Sequence, residues 1–324
     1  MRRILFLGLT LAMSAFLFTN CAFQDWEPQP SENNGDVGGN TPGEKTDVPF
    51  EIAASIVQTK TANNDGELVW AAGDRLNAFH TVSSTTAIVN DGEVTLADAG
   101  KGLFEGTLAK GLKDGYAYDW YLFYPYTENL TIYENAAEIT IGAAAGSAQR
   151  QAGNDSKAHL AGTAMPLFGA ATGVEAGKTP AAQMHHLASI VEVVVTNGVT
   201  PPLKVSEVAV TANEAIVGTF GLDLSTSTLT YNPASTSNTA KLAVDGAAEL
   251  AHGESAKFYI AVKPFSATPG TGIKLSVNGY EKEIILADAI NCNAGETATV
   301  AFEYDRLDFE ESLAGAYQIK GLWG

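Results

Sequence analysis

Cysteine is nearly absent. The 324 residues hold two, Cys21 and Cys292, which excludes a small fold stapled by several disulfides. Basic residues are also scarce: 19 Lys and Arg stand against 37 Asp and Glu. They nowhere gather into a stripe that neutralises phosphates, so nucleic acid is not an expected partner. The formal charge of −18 favours solubility and keeps copies apart until specific contacts form. Histidine is limited to His80, His159, His185, His186 and His252. The adjacent pair would face opposite ways in a strand, so no metal site is expected. The chain lacks G-x-S-x-G, H-E-x-x-H, a P-loop and a dinucleotide fingerprint. Asn64-Asp65-Gly66-Glu67 and Asn90-Asp91-Gly92-Glu93 lack the alternating oxygens of a calcium loop and read as turns. No catalytic residue and no cofactor is predicted, and the chain is not expected to be an enzyme. Long amphipathic helices are missing too, and no apolar run reaches the ~20 residues that span a bilayer.

What is present begins with MRRILFLGLTLAMSAFLFTNC. Arg2 and Arg3 precede an apolar run from Ile4 to Phe18 and then Cys21, so residues 1–20 have the layout of a secretory signal peptide. Cys21 sits where bacterial lipoprotein signals place the thiol that receives diacylglycerol; the alternative is plain cleavage that leaves Cys21 free. Each buried CH2 of an acyl chain contributes about 0.8 kcal/mol, and several chains anchor a protein durably. With Cys21 acylated, Cys292 has no disulfide partner and reads as a small buried apolar residue. Residues 21–48 are dominated by Pro, Gly, Asn and acidic side chains, the composition of a flexible tether.

From residue 49 onward the pattern is period-two alternation broken by turn residues, as in PFEIAASIV, SIVEVVV, AKFYIAV and TATVAFEY. This spacing predicts an all-β protein of antiparallel sandwiches. The domains expected are residues 49–182 and 183–305, followed by a tail over 306–324. Asp91-Gly92, Asp114-Gly115 and Asn278-Gly279 read as hairpin-type turns. The last joins Ile273, Leu275 and Val277 to a returning strand with Ile284 and Leu286. YAYDWYLFYPY, residues 116–126, admits two readings. Trp120 and Tyr124 form a sugar-stacking platform, or the stretch is a strand with Tyr116, Tyr118, Trp120, Leu122 and Tyr124 on one face, of which Trp120 and Leu122 suit the core. Strand propensity and aromatic burial favour the second. Asp119 would then mark the opposite face as beginning near solvent, and Pro125 would end the strand or place it at an edge.

Several segments in order resemble fimbrillin-like proteins, the subunits of type V pili in Gram-negative gut and oral bacteria. They are an apolar strand followed by Thr59-Lys60-Thr61, then Trp70-x-x-Gly73-Asp74, FEGTL (104–108), YLFYPY (121–126), PLFG (166–169), HLASIVEVVV (186–195) and the Ala294-Gly295-Glu296 turn before TATVAFEY. The resemblance spans roughly residues 48–305. It implies two tandem transthyretin-like β-sandwiches in a lipoprotein precursor held to the outer membrane through Cys21. A trypsin-like maturation protease would cut behind the first strand, residues 49–59, and a strand of another pilus subunit would fill the vacated groove. The product would be a structural subunit, shaft or tip, of a cell-surface fimbrium. Lys60 is the only basic residue between Lys45 and Arg75 and is the expected cleavage site. Phe50, Ile52, Ala54 and Ile56 are the inward face of the strand that would be released. The tail alternates Tyr317, Ile319, Gly321 and Trp323; it is either a donor strand for a neighbour or packs on its own domain, as a tip subunit would allow. The alternative function is a cell-surface glycan-binding lipoprotein, which needs exposed aromatics and no cleavage.

Overall fold

The computed structural model describes residues 48–57, 69–130, 132–268, 272–285 and 290–306. Cys21, Lys60, Tyr317, Ile319 and Trp323 lie outside the described residues. Apart from two short 3-10 turns, Ala158–Leu160 and Gly162–Ala164, the regular structure described is β-strand, as the alternation predicts.

Among the described residues, eleven strands precede residue 198. They are β1 (Val48–Ile56), β2 (Arg75–Val82), β3 (Val89–Asp98), β4 (Leu103–Leu108), β5 (Ala117–Tyr124), β6 (Ile132–Tyr133), β7 (Ala136–Ile141), β8 (Ala148–Ala152), β9 (Leu167–Glu175), β10 (Ala181–His186) and β11 (Ser189–Asn197). Seven of them close on themselves as a barrel in the order β1-β10-β9-β5-β2-β3-β4, with β4 returning to β1. Inward residues alternate along each strand, and Ile52, Leu76, Val94, Phe104, Trp120 and Met184 form much of the interior. A buried polar pair sits among them: His80 Nδ1 lies 2.5 Å from Asp91 Oδ2, and Asp91 Oδ1 accepts the Ala109 N–H at 3.0 Å. The expected Asp91-Gly92 turn does not form. Both residues lie inside β3, where the β2–β3 register shifts at Ala78/Phe79, and Gly92 takes φ +79°. The bulge turns Asp91 inward, where His80 and Ala109 satisfy it. The Asn278-Gly279 turn is present as predicted, with φ of 49° and 77°, the positive pair a type I′ turn demands. It pairs Val277 with Tyr280 and Ile273 with Ile284.

In the second half, β11 pairs antiparallel with Ser255–Val262 and parallel with Thr297–Tyr304. Facing this three-stranded sheet is one of five strands, Tyr280–Ile285, Gly272–Val277, Glu207–Thr211, Thr239–Asp245 and β8. Val193, Phe258 and Phe302 from one sheet meet Val208, Leu242 and Leu275 from the other in a single core, a sandwich arrangement. Two strands from earlier in the chain join this half. β7 pairs with Val217–Asp223 and β8 with Thr239–Asp245, while the residue 182–183 position falls within β10.

That crossing decides the surroundings of β5. Trp120 is 1% exposed and packs inside the barrel with Tyr118 and Leu122. Tyr121 and Phe123 point the other way, into a second core shared with Ile139, Phe168 and Phe220. The opposite face of β5 begins near solvent at half-buried Asp119 and is buried beyond it, because β7 and Val217–Asp223 bring an apolar face over Tyr121 and Phe123. The sugar-platform reading of Trp120 is overturned by the same packing.

The outer edge of Ser255–Val262 is sealed by side chains in place of a further strand. Gln149 Nε2 donates to the Ala261 carbonyl at 2.8 Å and its Oε1 accepts the Ala261 N–H at 2.9 Å. Gln151 accepts the Tyr259 N–H at 3.0 Å and donates to the Lys257 carbonyl at 3.1 Å. Asp155 accepts the Lys257 N–H at 2.8 Å, and His159 Nε2 lies 2.8 Å from the Tyr259 carbonyl. Burial lowers the His159 pKa below its ordinary value, which favours a neutral ring with the proton on Nε2. Unpaired strand edges invite association with other chains, and here the glutamine amides occupy the polar groups that would do so. Gln149→Ala and Gln151→Ala should each cost about 1–3 kcal/mol by stranding buried backbone groups. Urea denaturation measures the loss, and the double variant should also associate at high concentration.

Candidate functional site

The place occupied by β1 is the site at which the fold and the sequence motifs converge. β1 is the stave between β4 and β10. Residues Val48 to Ala53 run antiparallel to Leu108 to Leu103, and Ala53 to Ile56 run parallel to Ala181 to Met184. Further backbone bonds continue this seam: Ala53 N–H to the Pro180 carbonyl and Val57 N–H to the Met184 carbonyl, each at 2.9 Å.

The inward positions of β1 have distinct environments. The Phe50 ring stacks on Trp120 at 5.3 Å with 29° between planes. Ile52 is fully buried, a burial that contributes roughly 1.5–3 kcal/mol. Ala54 lies under Trp70, whose Nε1–H donates to the Ala54 carbonyl at 2.7 Å, and the Ala54 N–H donates to the Gly102 carbonyl at 2.8 Å. A Cβ at Gly102 would stand 2.1 Å from the Ala54 oxygen, and its φ is +60°; both facts require glycine. Position 54 thus takes a small side chain beneath an indole, and Ile56 closes the row half-buried. The four residues expected from sequence as the inward face of this strand are brought together here, Ile52 and Ala54 most deeply.

The Trp70-x-x-Gly73-Asp74 motif acquires a physical role. Asp74 Oδ2 accepts the Ala71 N–H at 2.8 Å, the Asp74 N–H returns to the Ala71 carbonyl at 3.0 Å, and Gly73 has φ +94°. This tight turn aims Trp70 at β1, edge-on to Phe104 and Tyr124 at 5.0 and 5.4 Å. Asp74 Oδ1 also accepts the Tyr124 hydroxyl at 3.1 Å. Burial, with Asp74 adding to it, pushes the Tyr124 phenol up to about 12, so it stays a donor. Arg75, the next basic residue after Lys60, stands in β2, paired with Glu93 at 3.0 Å and over the Tyr126 ring at 5.3 Å; a protease that needs an extended loop finds none there.

On the outer face, exposed Glu51 lies directly opposite exposed Glu105 of β4, a like-charge pair that disfavours the strand it belongs to. Period-two reading finds the inward residues of β1 but is blind to this pairing, to Gly102 and to the Trp70 bond, since each joins residues far apart in sequence. Among the described residues no cluster of three or more His, Cys, Asp or Glu has metal-binding geometry. Cys292 is buried and free, its thiol pushed up to about 12 by burial.

No protein-family model and no curated protein matches the chain. Solved structures do. A candidate cell adhesion protein from Bacteroides ovatus aligns at 16% identity and TM-score 0.50, over 80% of this chain and 94% of that one. A candidate cell adhesion protein from Bacteroides uniformis aligns at 14% identity and TM-score 0.45, covering 82% and 94%. A fimbrial protein from Bacteroides vulgatus aligns at 9% identity and TM-score 0.41, covering 79% and 96%. The first of these likenesses extends over nearly the whole of that protein and shows a shared fold.

Proposed function

We propose that the chain is a non-enzymatic structural subunit, shaft or tip, of a type V pilus of the fimbrillin-like kind. It is exported as a lipoprotein on Cys21, cut after Lys60 by a trypsin-like protease, and assembled at the bacterial surface by exchange of β1 for a strand of another subunit. The observation that carries this reading is that β1 alone closes the barrel between β4 and β10. Its departure leaves two sheet edges with unpaired N–H and C=O groups beside pockets that held Ile52 and Ala54. An extended strand satisfies both demands at once, backbone bonds giving affinity and alternate side chains giving specificity. In the sequence, Lys60 falls between β1 and the Trp70 turn. A cut there separates lipid, tether and β1 from the body while every other strand stays attached. The likeness of fold to a candidate adhesion protein supports the same reading. The glycan-binding alternative loses its proposed platform, because Trp120 is inside the barrel.

Limited trypsin digestion of the folded chain tests this. Mass spectrometry should find an early cut after Lys60 and a stable core starting at residue 61. Protection of residues 50–60 under conditions that cleave elsewhere would defeat strand release.

A further inference from the structure

The second sandwich has two sides at which strand edges from its facing sheets come together. Gln149 and Gln151 seal one of them. The other lies between Tyr280–Ile285, an edge strand of the five-stranded sheet, and Thr297–Tyr304, an edge strand of the three-stranded one. Among the described residues no strand pairs with the outer edge of either. We infer that Lys282 guards this side: its ammonium blocks the addition of a strand from a second copy, so that copies do not join through the second sandwich. The inference does not depend on the release of β1, and it concerns the uncut chain.

The edge that needs guarding follows from the register. The Ile190 N–H donates to the Glu296 carbonyl at 2.9 Å and the Gly198 N–H to the Tyr304 carbonyl at 2.8 Å. Even-numbered residues of Thr297–Tyr304 therefore turn their polar groups towards β11. Thr299, Ala301 and Glu303 turn theirs outward, because successive residues of a strand alternate sides. Val300 and Phe302 of the core lie directly beside this row. Outward N–H and C=O groups over an apolar interior are a template for another strand.

Lys282 interrupts that template. Alternation along Tyr280–Ile285 puts Tyr280, Lys282 and Ile284 on the inward face, where Tyr280 and Ile284 pack against the core. A lysine thus occupies an apolar row. Its Nζ crosses to the facing sheet, donates to the Glu303 carbonyl at 2.6 Å and pairs with Asp305 Oδ2 at 2.7 Å. It stands 5.4 Å from both the Tyr280 and the Phe302 ring. The Tyr280 hydroxyl donates to Asp305 Oδ1 at 2.7 Å and so fixes the carboxylate that holds the ammonium. The Lys282 bond is the main cause that lowers the Asp305 pKa, which keeps the pair charged at neutral pH. Nζ therefore already occupies one of the outward carbonyls that an added strand would use. The Lys282 side chain is 23% exposed, and a strand laid along this edge would remove its water and enclose a positive charge over two aromatic rings. Enclosing an ammonium in this way is unfavourable, and an inward-pointing charge on an edge strand is a recognised bar to edge-to-edge pairing. The inward row of β1, by contrast, carries no charge.

Sedimentation of the full, uncut chain carrying Cys21→Ser tests the guard, at high salt so that repulsion between acidic copies is screened. Lys282→Met keeps the stem over Phe302 and removes the charge. The concentration at which half of it is dimeric should fall about ten-fold or more below that of the parent. Its urea midpoint should not drop, whereas a lysine that served stability alone would lower it. Lys282→Arg keeps the charge and should sediment as the parent does. Ala301→Pro deletes an outward N–H, a change that free edges tolerate, and in the Lys282→Met background it should return association to the parent level. Should Lys282→Met fail to fold, Lys282→Gln carries the same expectations. A folded, uncharged variant that associates no more than the parent would overturn the inference. Association of that variant that Ala301→Pro leaves untouched would overturn it too, as would a parent chain whose own association Ala301→Pro abolishes.

Discussion

Trp120→Ala should destabilise the folded chain by roughly 3–5 kcal/mol, the cost of truncating a large aromatic in a packed interior. Trp120 sits between Phe50 of β1 at 5.3 Å and His80 of β2 at 5.1 Å, so the void would open against the strand that closes the barrel. Among the described residues its Nε1 has no hydrogen-bond partner; the loss is one of volume and contact, not of a polar bond. Trp120→Phe should therefore recover much of the stability. Chemical denaturation of the two variants measures this, and β1 should become more susceptible to release in the alanine form. An unchanged midpoint accompanied by lost glycan binding would return Trp120 to the surface role that its burial excludes.

His80→Ala should cost about 1–3 kcal/mol, as expected when one partner of a buried hydrogen-bonded pair is removed and the other is left unsatisfied. The His80 and Asp91 side chains are 3% and 0% exposed. Without the imidazole, the Asp91 carboxylate keeps the Ala109 N–H as its remaining bond in a barrel of Leu, Val and aromatic side chains. The double variant His80→Leu/Asp91→Leu should be markedly more stable than His80→Ala, since replacing both partners with apolar groups removes the desolvation cost along with the pair. A denaturation cycle over the single and double variants decides the matter. Additive losses would mean that the two side chains are satisfied independently.

Much of the strand inventory was legible because it is local. Alternation along PFEIAASIV places Ile52 and Ala54 inward whichever strands lie beside them, and Asn278-Gly279 makes its turn from the backbone freedom of two residues. The reading failed at Asp91-Gly92 for an instructive reason: a dipeptide suited to a tight turn is equally suited to a bulge, and the choice was made by His80, eleven residues away. The second face of β5 was legible only at its start. Asp119 is a fair sign of nearby solvent for its own position, but the burial of Tyr121 and Phe123 comes from strands that follow it in sequence by up to a hundred residues.

Local patterning sets the all-β character, the turn at residues 278–279 and the inward face of β1, since each depends on neighbours within a few residues. Tertiary packing settles that β1 closes a barrel, that Glu51 meets Glu105, that Gly102 and Trp70 demand a small residue at position 54, and that Gln149 and Gln151 stand in for a strand. Backbone hydrogen bonds are the same for every residue type. Which edges meet is therefore settled by the simultaneous burial of distant apolar faces, and no short window of the chain contains that information.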